Sequence, residues 1–298
     1  MQSPLPFAAL LFNAFVWGLA WWPFQHMHQA GLHPLWATAF MYAVVLLALL
    51  AWRPTLWAQV RQHPELWLLA LASGLNNVAF NWAVTIGDVV RVILLFYLMP
   101  AWAVLLAWKI LGERPTASAL LRLALAFAGV VLVLLPADAP ASRLVQNLSL
   151  ADGLALLGGF MFALTNVTLR RLHTVPGPAR MFSMFGGCML MALAVAGIGR
   201  QAGVVDAFPA FNSTWVVTGL LLAGVLMLGN WALQFGAARL AAGTTALVML
   251  SEVMFASVSS ALLGAATLNP RTVLGGGLIL LASLLAALQF RRPGATPH

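Results

Sequence analysis

Apolar residues gather along this chain in ten membrane-length stretches, near 7–25, 34–52, 66–86, 89–111, 117–135, 150–170, 179–199, 213–236, 242–264 and 270–290. Most hold about the 20 apolar residues that a hydrocarbon core of about 30 Å asks of a helix. The runs are continuous instead of alternating, which predicts helices and excludes barrel strands. The longest loops, near 53–65, 136–149 and 200–212, are too small to fold as domains. Whatever this protein does, it does inside the membrane or at its rim.

The polar positions inside these stretches repeat. Asn81-Trp82-Ala83-Val84 returns 149 residues later as Asn230-Trp231-Ala232-Leu233. Ser73, Asn77, Asn81 and Thr85 recur every four residues, a single stripe on the third span. The same 149-residue shift carries Asn81 and Thr85 onto Asn230 and Gln234 of the eighth span, again four apart. Five spans per half is an odd number, so the second half must enter the bilayer from the opposite face. The expected fold is therefore an all-α membrane protein whose ten transmembrane helices form two inverted five-helix repeats, 1–136 and 149–290, with a short tail at 291–298.

Composition agrees: 62% of residues are hydrophobic and 7% charged, against about 25% charged in soluble domains. The net charge of +8 does not read as a nucleic-acid footprint, because no basic cluster sits on a soluble face. With both termini cytoplasmic, eleven basic residues fall on that side: Arg53, Arg61, Lys109, Arg114, Arg122, Arg170, Arg171, Arg180, Arg239, Arg291 and Arg292. Four fall on the other: Arg91, Arg143, Arg200 and Arg271. This asymmetry favours N-in and C-in, with anionic lipid as the partner of the basic rim. The first span has no preceding basic residue and no small-residue cleavage site, so it reads as a retained helix. Cys188, the single cysteine, has no partner for an intrachain disulfide.

Candidate chemistry lies near the predicted midplane. Glu252, about ten residues into the ninth span, is an acid whose charge would cost roughly 2.5–3.5 kcal/mol at the bilayer centre. It must face a polar cavity, pair with a cation or hold a proton. Asn77, Asn81, Asn230 and Gln234 need hydrogen-bonding partners that lipid cannot supply; they line a cavity or tie helices together. Pro100 lacks an amide hydrogen, which frees the Phe96 carbonyl and bends the fourth span. Tyr97 offers a hydroxyl and a ring at the same depth. Arg91, with Asp88 three residues earlier, either snorkels to the interface or points down the cavity. In the first span Asn13 and Trp17 lie deep, whereas Trp21 and Trp22 suit an interfacial belt. His26, His28 and His33 are loosely spaced with no acid nearby, and read as interface histidines, not metal ligands. No cofactor is expected.

The chain resembles the EamA branch of the drug/metabolite transporter superfamily over nearly its full length. The resemblance rests on Phe15-Val16-Trp17-Gly18, on Leu98-Met99-Pro100-Ala101 leading to Leu111-Gly112-Glu113-Arg114, and on Leu250-Ser251-Glu252-Val253 leading to Leu263-Gly264. It implies that helices 3, 4, 8 and 9 surround a pathway, with helices 5 and 10 peripheral. It also implies transport of small metabolites, amino acids or drugs, commonly export. The chain departs from the family pattern at Phe40-Met41-Tyr42, where an arginine is frequent, and at Met99, Val253 and Ala265.

The expected function is that of a multi-pass carrier in a bacterial cytoplasmic (inner) membrane, exporting amino acids, related compounds or drugs by alternating access. Its partners are a small-molecule substrate and the lipid bilayer, with Glu252 binding a cationic group or carrying a coupling proton. Small-residue patches at Ala124/Ala128 and Gly275-Gly276-Gly277 allow close contacts within one chain or in a homodimer. Two rivals stand beside this reading. A non-transporting scaffold would use the polar residues only to tie helices. An intramembrane enzyme would need a zinc pattern, a nucleophile elbow or paired acids, and the sequence has none of these.

Overall fold

A computed structural model describes residues 4–86, 89–134, 149–264 and 270–290. In chain order the helices are α1 (Leu5–Gln29), α2 (Pro34–Trp52), α3 (Leu56–Gln62), α4 (Glu65–Ile86), α5 (Val89–Phe96), α6 (Met99–Leu106), α7 (Ala117–Leu134), α8 (Leu150–Arg171), α9 (Gly177–Gln201), α10 (Ser213–Ala237), α11 (Ala242–Met249), α12 (Glu252–Leu262) and α13 (Pro270–Phe290). A π-helical turn, Ala107–Leu111, continues α6 and stops at Gly112, whose φ of +73° suits glycine. Asp88, Arg143, Ala265 and the tail 291–298 lie outside the described residues, as do the side chains of Thr85 and Arg91.

Local sequence sets several helix starts. Proline occupies the first turn of α1, α2 and α9, where its missing amide hydrogen is harmless. A capping box opens α8: the Asp152 amide donates to Ser149 Oγ at 3.2 Å, and the Ser149 amide donates to Asp152 Oδ2 at 2.8 Å.

Among the described residues, seven helical segments are long and apolar enough to cross a membrane, counting Val92–Leu111 and Ala242–Leu262 as single units. α7 and α13 hold shorter apolar stretches, 117–133 and 273–286. α4 has the length, but Asn76, Asn77 and Asn81 dilute its apolar content. Leu47 and Leu221, each 68% exposed, show how the bundle presents apolar side chains outward, as a surface solvated by lipid should. The protein is a multi-pass, all-helical membrane protein.

Helix contacts define relative directions. α4 and α9 touch at Leu66–Ser183, Ala70–Gly187 and Gly74–Met191, always 117 residues apart, so they run parallel. α1 runs parallel to α11 and α12, through Asn13–Met249, Gly18–Phe255 and Trp21–Ser259. It runs antiparallel to α10, where Leu10 meets Gly236, Val16 meets Gly229 and Met27 meets Gly219. α8 opposes α4 through Phe80–Gly158 and Ala83–Ala155, yet follows α5 and α6 through Phe96–Gly159 and Ala103–Ala163. α2 opposes α9, with the Tyr42 and Phe185 rings stacked at 5.0 Å. α13 opposes both α7, at Gly129–Ile279, and the α11–α12 unit, at Met254–Gly276. Helices therefore alternate in direction along the chain. The bundle has a near end, where α1 begins, and a far end, where α2 begins.

The glycine patch is used within the chain, whereas Ala124 and Ala128 are exposed on α7. Gly275 packs on the Gly129 carbonyl and Gly276 on Met254, while Gly277 faces open space.

Candidate functional site

Asn77 and Asn81 point towards the far end of the bundle. The Asn81 Nδ2 donates to Asn77 Oδ1 at 3.1 Å, and the Asn77 Nδ2 donates to the Tyr42 hydroxyl at 3.4 Å. Asn81 also lines a cavity of about 160 Å³ between the start of α2, the end of α4 and the end of α9, together with His33, Leu35, Phe80, Trp82 and Gly199. His33 accepts the Leu35 amide hydrogen at 3.3 Å and so caps α2. Burial, with His28 adding to it and Asp206 opposing it, holds the His33 imidazole below its usual pKa.

Ser73, on the same stripe, has a different task. Its hydroxyl donates to the Leu69 carbonyl at 2.7 Å and sits 3.3 Å from the Met184 carbonyl, tying α4 to α9. Cys188 donates to the Ser73 carbonyl at 3.3 Å, and Ser183 to that of Leu66. The stripe is thus helix-binding at one end and cavity-lining at the other.

The second amide pair is closed in. Asn230 and Gln234 are 8% and 2% exposed, with their amides 2.7 Å apart. Gln234 turns its nitrogen to the Gly177 carbonyl at 3.1 Å and its oxygen to the Met181 amide at 3.2 Å, closing α10 against the start of α9. Arg180 reaches the Leu169 carbonyl at 3.4 Å. These contacts all lie towards the near end.

Two helices are interrupted near mid-depth. Tyr97 and Leu98 separate α5 from α6, just before Pro100, so the expected bend is a full break. The Phe96 carbonyl released by Pro100 lies against Gly159, where a Cβ would come within 2.5 Å of it. Leu250 and Ser251 separate α11 from α12 without any proline. There the chain tightens to i−3 hydrogen bonds, and Ser251 Oγ donates to the Val248 carbonyl at 2.5 Å. Gly18 of α1 lets this second break approach, its missing Cβ leaving room for the Glu252 carbonyl at 2.9 Å.

Glu252 is the first residue of α12 and is half-buried. A charged carboxylate at this depth is costly unless a polar cavity, a cation or a proton meets it. The Tyr97 hydroxyl, on the facing break, lies within electrostatic range of the Glu252 carboxyl. Tyr97 also walls a second cavity, about 280 Å³, with Ala101, Leu120, Ala124 and Phe127. Asn13 is wholly buried, donating to Sδ of Met249, the last residue of α11, at 3.4 Å. Trp17 packs against the central core, and the Trp21 indole donates to Ser259 Oγ at 3.0 Å. Trp21 therefore joins α1 to α12, whereas Trp22 is exposed as a belt residue would be. No group of three metal-ligating residues occurs among the described residues.

One feature was hidden in the sequence. Glu113 Oε1 pairs with Arg170 Nε at 3.5 Å, and Glu113 Oε2 accepts the Ala242 amide hydrogen at 3.3 Å, capping α11. Arg170 donates in turn to the Ala238 carbonyl at 2.8 Å. This clasp joins the end of α6, the end of α8 and the α10–α11 turn at the near end. The Leu-Gly-Glu phrase was visible in the chain, but its partner lies 57 residues away.

No curated protein matches the chain. A protein of known crystal structure superimposes on 99% of this chain and 100% of its own, with a TM-score of 0.77 and 17% identity. At that identity the likeness concerns the fold alone. Residues 6–135 match the model of the EamA-like transporter family. The matched segment holds the broken α5–α6 unit, the amide stripe and the terminal Glu113, so the first half of the chain is similar to the EamA-like transporter family.

Proposed function

We propose that this protein is a carrier of small polar metabolites, such as amino acids, related compounds or drugs, and that it works by alternating access. The halves 1–136 and 149–290 act as inverted repeats, a reading supported by the opposite directions of α1 and α8, α4 and α10, and α7 and α13. The single observation that carries the proposal is the inequality of the two amide pairs. Asn81, bonded to Asn77 behind it, reaches a far-end cavity, while Asn230 and Gln234 are shut against α9 at the near end. A carrier caught open on one side has this asymmetry, and exchange of the two arrangements moves a site between the membrane faces.

Arg53, Arg61, Lys109, Arg170, Arg171 and Arg239 cluster at the near end, while Arg200 and Arg271 stand at the far end. This bias supports a cytoplasmic near end in a bacterial inner membrane, with both termini inside. Glu252 binds a cationic group of the substrate or holds a coupling proton, Tyr97 faces it, and Asn81 and Asn230 serve as alternate hydrogen-bonding groups. Export fits the far-end opening.

An untargeted metabolite comparison between cells lacking and overproducing the protein identifies the substrate. Flux of that compound is then measured in proteoliposomes. Glu252→Gln should lower flux at least tenfold while yield and size-exclusion profile stay normal. Wild-type flux with unchanged pH dependence in that variant would remove Glu252 from the mechanism.

A further inference from the structure

Two buried polar side chains have no partner among the described residues. Both amide atoms of Asn166 on α8 are unsatisfied at 1% exposure, and so is the Thr245 hydroxyl on α11 at 0%. They occupy the same depth of one interface. Ala163 packs with Ala246 and Val167 with Ala242 between these antiparallel helices, and each residue neighbours one of those contacts. Unsatisfied polar groups in a dry interface are destabilising, so their presence asks for a state in which they are satisfied. The Glu113–Arg170 clasp lies directly over them towards the near end. Arg170 is four residues beyond Asn166 on α8, and Ala242, capped by Glu113, is three residues before Thr245 on α11.

We propose that Asn166 and Thr245 form an inner subsite for a neutral hydrogen-bonding group of the substrate, such as an amide or hydroxyl, sealed here by the Glu113–Arg170 clasp. The ion pair links residues of the two halves, so separating the halves at the near end must break it. Opening would draw Ala103 and Ala107 of the first half away from α8 and α11, exposing the amide and hydroxyl along a wall whose small side chains leave room for a small ligand. The subsite carries no charge of its own and so complements Glu252, which would take a cationic group. This inference rests on the alternating-access reading.

The test uses the full chain with Cys188→Ala, in inside-out membrane vesicles, and a membrane-impermeant maleimide as the probe. Asn166→Cys and, separately, Thr245→Cys report access from the near face. Labelling should be slow with Glu113 present and at least tenfold faster in the same reporters carrying Glu113→Ala. Equal rates with and without Glu113, in both reporters, would overturn the clasp as the seal. Separately, Asn166→Leu should raise the melting temperature in detergent, because an unsatisfied amide is lost, yet reduce flux at least tenfold. A raised melting temperature with undiminished flux would overturn the subsite. Gated labelling in a protein that moves no metabolite would instead sink the carrier reading and leave the gate standing.

Discussion

α4 and α10 carry the same device, a pair of amides four residues apart, and the fold uses the two copies differently. On α4 the pair leads from the Tyr42 hydroxyl to a far-end cavity; on α10 it is sealed onto the first turns of α9. The difference lies in the neighbours. α4 is drawn tightly to α9 by Gly74, Gly187, Ser73 and Ser183 at its near-end half. α10 meets α2 through bulky rings, with Phe40 and Trp215 at 5.4 Å and Trp52 and Trp231 at 6.0 Å. Asn81 lies beyond this close-packed part, where a cavity separates the ends of α4 and α9. A polar stripe thus becomes glue or cavity wall according to how closely the partner helix can approach.

The largest effect should come from attacking that close approach. A side chain at Gly187 would overlap the Ala70 carbonyl backbone, so Gly187→Leu should cost more than about 3 kcal/mol and abolish recovery of monodisperse protein in detergent. Gly224→Ala on α10 meets open space and should stay within about 0.5 kcal/mol of the parent. Comparable losses in both variants would erase the contrast between the helices.

The amides themselves come next. Gln234→Leu strands the buried Asn230 amide and should cost about 2–3 kcal/mol, read as a lower melting temperature. Asn81→Leu, at the cavity wall, should cost roughly 1 kcal/mol or less while reducing flux several-fold. If Asn81→Leu proves the more destabilising change, the assignment of sealed and open ends is reversed.

The smallest effect concerns the cavity rim. His33 is neutral more readily in the fold than in the unfolded chain, whose imidazole titrates near 6.5. As pH falls below that value the unfolded state takes up protons first, so stability is full above about pH 6.5 and declines towards the lower folded value. His33→Asn keeps a capping side chain at the start of α2 and should flatten this slope. A melting-temperature profile between pH 5 and 8 with the same slope in both proteins would show that His33 does not contribute.

Much of the architecture was legible in the chain because lipid imposes a blunt rule: long apolar runs must be helices. The helices α1, α2, α4, α8, α10 and α13 fall close to the stretches read from hydrophobicity. The break at Tyr97–Leu98 follows from one residue, Pro100, whose missing amide hydrogen is a local fact. The break before Glu252 has no such marker, because it arises from Ser251 turning its hydroxyl back on the Val248 carbonyl where Gly18 lets α1 come close. Trp21 looked like a belt residue, since its indole partner, Ser259, is 238 residues away.

What the sequence determined by itself is therefore the membrane class, the helix spans and the polar residues that must avoid lipid, all consequences of solvation acting residue by residue. Only the tertiary structure decided which of those residues are joined: Glu113 to Arg170, Gln234 to the start of α9, Asn81 to a cavity. Hydrogen bonds and ion pairs act over a few ångströms in space, whatever the separation in sequence, so their partners become visible only once the helices are packed.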